Sequence, residues 1–84
     1  MPNLDPQLIG HLADAAAGTG LDAAFEVIAG MLLRGESEES LLLFLVAPCA
    51  RLLGEQWAAD ARPFAEVVRG LDVIREIANA LSAT

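Results

Sequence analysis

Between Leu41 and Ala50 the chain carries ten apolar residues in a row, LLLFLVAPCA. A helix that is apolar all round has to be covered all round, so this run constrains the fold more than any other segment. It has about half the residues a bilayer-spanning helix needs, so a place in a folded core is expected rather than a membrane. A strand is the alternative for a short apolar run. It is rejected because Leu and Ala dominate, and because the segment continues at helical spacing through Arg51, Leu52, Leu53, Gln56 and Trp57. Pro48 lies inside this helix, where it removes one backbone hydrogen bond and crowds the preceding turn, so a kink is expected there. Three arrangements would cover the run. The helix is central with the others wrapped around it, or its outer face packs on a second copy, or it packs on a separate partner. For the latter two, Leu41, Leu42, Leu43, Phe44 and Leu45 are the candidate interface.

The rest of the chain reads as three further helices. Asp5 followed by Pro6 supplies an N-cap acceptor and a pre-set φ. Leu8, Ile9, Leu12 and Ala16 then share one face, and Gly18-Thr19-Gly20 ends the helix. Thr19 or Asp22 is the expected cap of the second helix, whose apolar positions are Leu21, Ala24, Phe25, Ile28, Met31 and Leu32, closed by Arg34-Gly35. Ser37-Glu38-Glu39 opens the third, the apolar one, with a hydroxyl cap and two carboxylates at the positive end of the helix dipole. Asp60-Ala61-Arg62-Pro63 breaks the chain before the fourth. There Phe64, Val67, Val68, Leu71, Ile74, Ile77, Ala78 and Leu81 form a wide apolar stripe, interrupted by Gly70, which suits close approach of a neighbour. The expected fold is all-α, a four-helix bundle with a kinked third helix, and at 84 residues a single domain spans 1–84.

The chemistry a chain can perform is bounded by its side chains. The net charge is −7 and all five basic residues are arginine, so an acidic surface repels phosphate backbones and direct nucleic-acid binding is not expected. One cysteine, Cys49, permits no intrachain disulfide, and MPNLDPQ has neither the basic start nor the apolar core of a signal peptide; a cytoplasmic location is expected. His11 is the only histidine, and no spacing pairs it with Cys49 as base and nucleophile. One His and one Cys with scattered carboxylates do not make a closed zinc shell. Glu36, Glu38 and Glu39 lack the alternating ligands and central glycine of a calcium loop, and read as helix capping. An enzyme is not expected. Trp57, near the end of the third helix, suits either a core position between helices three and four or one wall of a flat-ligand site.

The segment Ala47 to Ile77, APCARLLGEQWAADARPFAEVVRGLDVIREI, resembles the helical cap of cobalamin-binding proteins. It is most similar to caps of bacterial corrinoid- or haem-linked sensors, including anti-repressors of photosynthesis genes. Pro48, Ala50, Leu53-Gly54, Trp57, Asp60, Phe64, Val67 and Gly70 carry the likeness. The resemblance implies a four-helix bundle whose tryptophan packs over the upper face of a tetrapyrrole ring. Trp57, Phe64, Val67 and Val68 would then be the cofactor-side residues, with cobalamin or haem as the cofactor. In the light-sensing branch a Glu-His pair stands where this chain has Val67-Val68, so adduct photochemistry is not implied. The family's Asp-x-His-x-x-Gly loop, which belongs to an α/β domain below the ring, does not occur in this chain. The resemblance therefore implies an α/β partner domain or regulatory protein that supplies the other wall. Three readings stand: a cap-like module of a tetrapyrrole sensor, a ligand-free interaction or homodimerisation module, and a small enzyme subunit.

Overall fold

The computed structural model describes residues 6–82, and among them the chain forms four helices and no strand. Helix α1 runs over Pro6–Asp14 and continues as a π-helical turn, Ala15–Thr19. Helix α2 is Leu21–Leu33. Helix α3 is Glu38–Ala58, with α-helical ends and a π turn at Leu42–Val46. Helix α4 is Phe64–Ser82. The expected cap at Asp5 lies outside the described residues.

Local chemistry explains most of the helix ends. Gly20, at φ 113°, donates its N–H to the Ala15 carbonyl at 2.7 Å and turns the chain. The expected cap of α2 at Thr19 or Asp22 is not what forms: Gly20 itself is the N-cap, with no side-chain hydrogen bond. Helix α2 ends in a Schellman motif. Gly35, at φ 95°, donates to the Leu32 carbonyl, and Glu36 donates to the Met31 carbonyl. Helix α3 starts as expected, with Ser37 Oγ accepting the Ser40 N–H at 3.0 Å and Glu38 and Glu39 in the first turn. It ends in a second Schellman motif, in which Ala61 donates to the Gln56 carbonyl and Asp60 to that of Trp57. Here the left-handed position is taken by Asp60, at φ 57°, instead of a glycine.

The apolar run is accommodated by a change of helical width. At Leu42–Val46 the backbone widens to a π turn, and the Ala47 N–H bonds the Leu42 carbonyl five residues back. The wide turn closes just before Pro48, the residue with no N–H to give. By length and composition Glu38–Ala58 reaches what a membrane span needs, which the ten-residue run alone does not. Its buried side chains nevertheless serve the chain's own core: Leu41, Leu45, Cys49 and Leu53 are wholly buried, and the C-terminal half packs against α1 and α4. The helix is not wrapped on every side, because Leu43 and Phe44 are exposed.

The core combines large aliphatic side chains with a set of alanines. Ala13, Ala16, Ala17 and Ala24 are fully buried beside Leu12, Leu41, Leu45, Leu53 and Ile77. Gly70 lets α4 press onto the π turn of α1: a Cβ added there would sit 3.0 Å from Leu53 Cδ1 and 3.3 Å from Ala17 Cβ. The wide stripe of α4 divides. Val67, Gly70, Val73, Ile74, Ile77 and Leu81 face inward, whereas Phe64, Val68 and Leu71 stay open.

Candidate binding surface

None of the four aromatic residues of the chain is in the fully buried core. Phe25 is half-buried, while Phe44, Trp57 and Phe64 are exposed. Aromatic side chains ordinarily contribute heavily to a core, so their place on α3 and α4 marks a surface. Trp57 stands two residues before the turn that ends α3, and Phe64 is the first residue of α4. Their ring centroids are 5.9 Å apart, with the planes tilted by 50°. Trp57 is 55% exposed, Phe64 63% and Val68 44%, and Val68 follows Phe64 by one helical turn.

The turn that presents this pair is held from beneath. Arg62 is only 14% exposed and binds three elements at once. Its Nε donates to Gln56 Oε1 on α3 at 2.7 Å, one terminal nitrogen to Asp14 Oδ1 on α1 at 2.5 Å, and the other to Glu66 Oε1 on α4 at 3.4 Å. In the sequence Arg62 stands out only as part of a helix break; no local pattern signals that one guanidinium ties three helices.

Further along the same two helices lies an apolar groove of about 310 Å³. Leu42, Val46, Ala47 and Ala50 line it from α3, and Leu71, Ile74, Arg75 and Ala78 from α4. Two further grooves, one larger at about 420 Å³ and one smaller at about 230 Å³, run between α1 and α2 and share His11, Glu26 and Val27.

The residues expected on a cofactor side are thus divided. Trp57, Phe64 and Val68 form an open patch, but Val67 is 3% exposed and turned into the protein, so it cannot line a ligand face. Leu71, one turn beyond Val68 and 38% exposed, extends the patch instead, as the spacing 64, 68, 71 on one helix face could have shown. The interface residues divide as well. Leu41 and Leu45 are core residues with no surface to offer, a correction that follows from their inward position on α3; Leu42 is half-buried, and Leu43 and Phe44 are open.

The reactive groups do not converge. Cys49 is wholly buried, and burial pushes its thiol from 9.0 up to about 12, with Arg62 pulling it down and Asp14 pushing it up. A sealed, protonated thiol is neither nucleophile nor ligand. His11 sits on the opposite groove, exposed to solvent. Among the described residues no group of three or more His, Cys, Asp or Glu side chains is placed to hold a metal ion. Comparison with protein-family models, with curated proteins and with solved structures gives no match for this chain.

Proposed function

We propose that this chain is a non-catalytic, cytoplasmic, cap-like regulatory module that offers one wall of a tetrapyrrole site, with cobalamin or haem as the ring and an α/β partner domain as the other wall. The observation that carries the reading is the open Trp57–Phe64–Val68 patch at the junction of α3 and α4. Its side chains are aromatic and aliphatic and include no metal ligand, so the fit is to the face of a flat ring rather than to a metal at its centre. Covering what is open of these three side chains removes on the order of 300 Å² from water, about 7 kcal/mol before costs. Association itself costs ~4–15 kcal/mol, so this wall holds a ring only together with a second one.

Titration with haem or cobalamin, alone and with a candidate α/β domain, tests the reading. The expected result is a change in ring absorbance with quenching of Trp57 fluorescence, abolished by Trp57→Ala. Absence of any spectral change at high micromolar ligand, with and without the α/β domain, refutes it.

A second reading, as an interaction or homodimerisation module, is favoured by a separate observation. Leu43 is 58% and Phe44 43% exposed on the outer side of α3.

A further inference from the structure

We infer that the outer face of α3 is a homodimer interface, in which two copies pair this helix antiparallel about a two-fold axis crossing the outer face at the level of position 45, and seat Leu43 at the α3–α4 groove of the opposite copy. The inference rests on the interaction reading of α3 and does not depend on whether a tetrapyrrole binds.

Four exposed residues of α3 recur every fourth position: Glu39, Leu43, Ala47 and Arg51. In a regular α-helix each such step overshoots a turn of 3.6 residues, and the row winds around the axis. The wider π turn at Leu42–Val46 takes up that excess in the middle of the row, so the four positions lie closer to one line. Neither Glu39 nor Arg51 makes an ion pair or a side-chain hydrogen bond among the described residues, which leaves one carboxylate and one guanidinium free at the two ends of the row.

Symmetry then fixes the register. Across a two-fold axis, if one residue faces a second, the second faces the first. Parallel pairing in register would set Glu39 against its own copy and Arg51 against its own copy, which like charges oppose. Antiparallel pairing with Glu39 opposite Arg51 requires the axis at position 45. That same axis sets Leu43 opposite Ala47, a large side chain against a small one, with no further adjustment. Ala47 is on the rim of the groove formed with Leu42, Val46, Ala50, Leu71 and Ile74, and the groove's volume of about 310 Å³ has room for an aliphatic side chain. An apolar anchor entering a preformed pocket, flanked by opposite charges, is how small interfaces gain both strength and register. The paired stretch is about 18 Å long. That is short for an interface of about 800 Å² per partner, so the dimer is reversible and concentration-dependent.

Sedimentation velocity from about 10 μM to about 1 mM tests the inference, because this range brackets a reversible weak dimer. The expected mass rises from the chain's 8.8 kDa toward twice that value. Glu39→Arg and Arg51→Glu each turn two attractive pairs into two repulsive ones, and each should raise the dimer Kd at least about tenfold. The double variant restores both pairs and should return the Kd to near its original value. Both positions are exposed, and far-ultraviolet circular dichroism checks that the helices persist. A protein that stays monomeric throughout overturns the inference. So does a dimer untouched by the single reversals, or one that the double variant fails to restore. Ring titration of monomeric Leu43→Glu separates the two proposals: spectral change there supports the tetrapyrrole reading whatever the fate of the dimer.

Discussion

Glycine replaced by alanine inside a helix should stabilise this protein at Gly30 and Gly54 and not at Gly70. Gly30 in α2 and Gly54 in α3 have no atom within 4 Å of the place a Cβ would occupy. Each alanine there gains the helix propensity difference, about 1 kcal/mol, with nothing set against it. Gly70 in α4 gains the same amount, but its Cβ would lie 3.0 and 3.3 Å from the two methyls of Leu53 and 3.3 Å from Ala17 Cβ. The leucine end can swing, whereas the alanine methyl moves only with the α1 backbone. Overpacking of this kind costs ~1–3 kcal/mol, so Gly70→Ala is expected to be neutral or destabilising by up to about 2 kcal/mol.

Urea denaturation followed by circular dichroism measures all three, with unchanged slopes showing that midpoints report stability. The structure also predicts coupling. Shortening Leu53 to Ala removes two of the three close contacts, so Gly70→Ala should become more favourable in that background by at least about 0.5 kcal/mol. A Gly70→Ala midpoint raised as much as that of Gly54→Ala, with no coupling to Leu53, refutes the close approach of α4 to α1 and α3.

The remaining expectations concern the loop, the thiol and the caps. Asp60→Gly should raise stability by about 1 kcal/mol and Asp60→Val lower it in the same denaturation assay, because φ 57° is a left-handed position that only glycine takes without strain. Arg62→Ala should cost about 1–2 kcal/mol and Arg62→Lys should recover little, since one ammonium cannot reach Gln56, Asp14 and Glu66 together; a lysine variant as stable as the parent would contradict this. Cys49 is protonated to about pH 12 in the folded chain but ionises near 9.0 when unfolded, so the unfolded state loses its proton first as pH rises. Its contribution is therefore complete below pH 9 and falls by about 1.4 kcal/mol per pH unit above it, a slope that Cys49→Ala should remove. Ser37→Ala should cost about 1 kcal/mol by leaving the Ser40 N–H without its cap.

Helix number and most boundaries were readable from the sequence because they depend on nearest neighbours: Ser37 before two glutamates, Gly35 after Arg34, Asp60 to Pro63 between two apolar helices. Which face of a helix turns inward depends on what lies opposite, and there the pattern was too generous. The stripe of α4 included Phe64, Val68 and Leu71 with the core positions, although the buried set runs through Gly70 and Val73. Glycine carries no hydrophobic signal, yet Gly70 is where α4 comes closest to its neighbours. The π turn was unreadable for a related reason. Nothing in LLFLV itself marks a wider turn. Trp57 and Phe64 were singled out by residue type and by resemblance; their proximity depends on the turn that Arg62 and Asp60 hold.

A chain that is 55% hydrophobic and only 84 residues long would normally hide its largest apolar side chains first. This one sets four fully buried alanines among its leucines and isoleucines, and at Gly70 the helices approach closely enough that even a Cβ would crowd Ala17 and Leu53. Trp57, Phe64 and Phe44 lie outside the core, exposed along with Leu43, Val68 and Leu71. The fold thus builds its core mainly from aliphatic side chains and leaves its aromatic ones outside it. Substituting the exposed residues with polar ones should leave the bundle folded, since none of them supports the core, and should remove whatever the α3 and α4 faces bind. Enlarging a core alanine acts the other way: Ala17→Leu should destabilise the bundle by about 1–3 kcal/mol while leaving the exposed side chains as they are. If polar substitution at Trp57, Phe64 and Leu43 instead destabilises the fold by several kcal/mol, these side chains belong to the core and the surface reading fails.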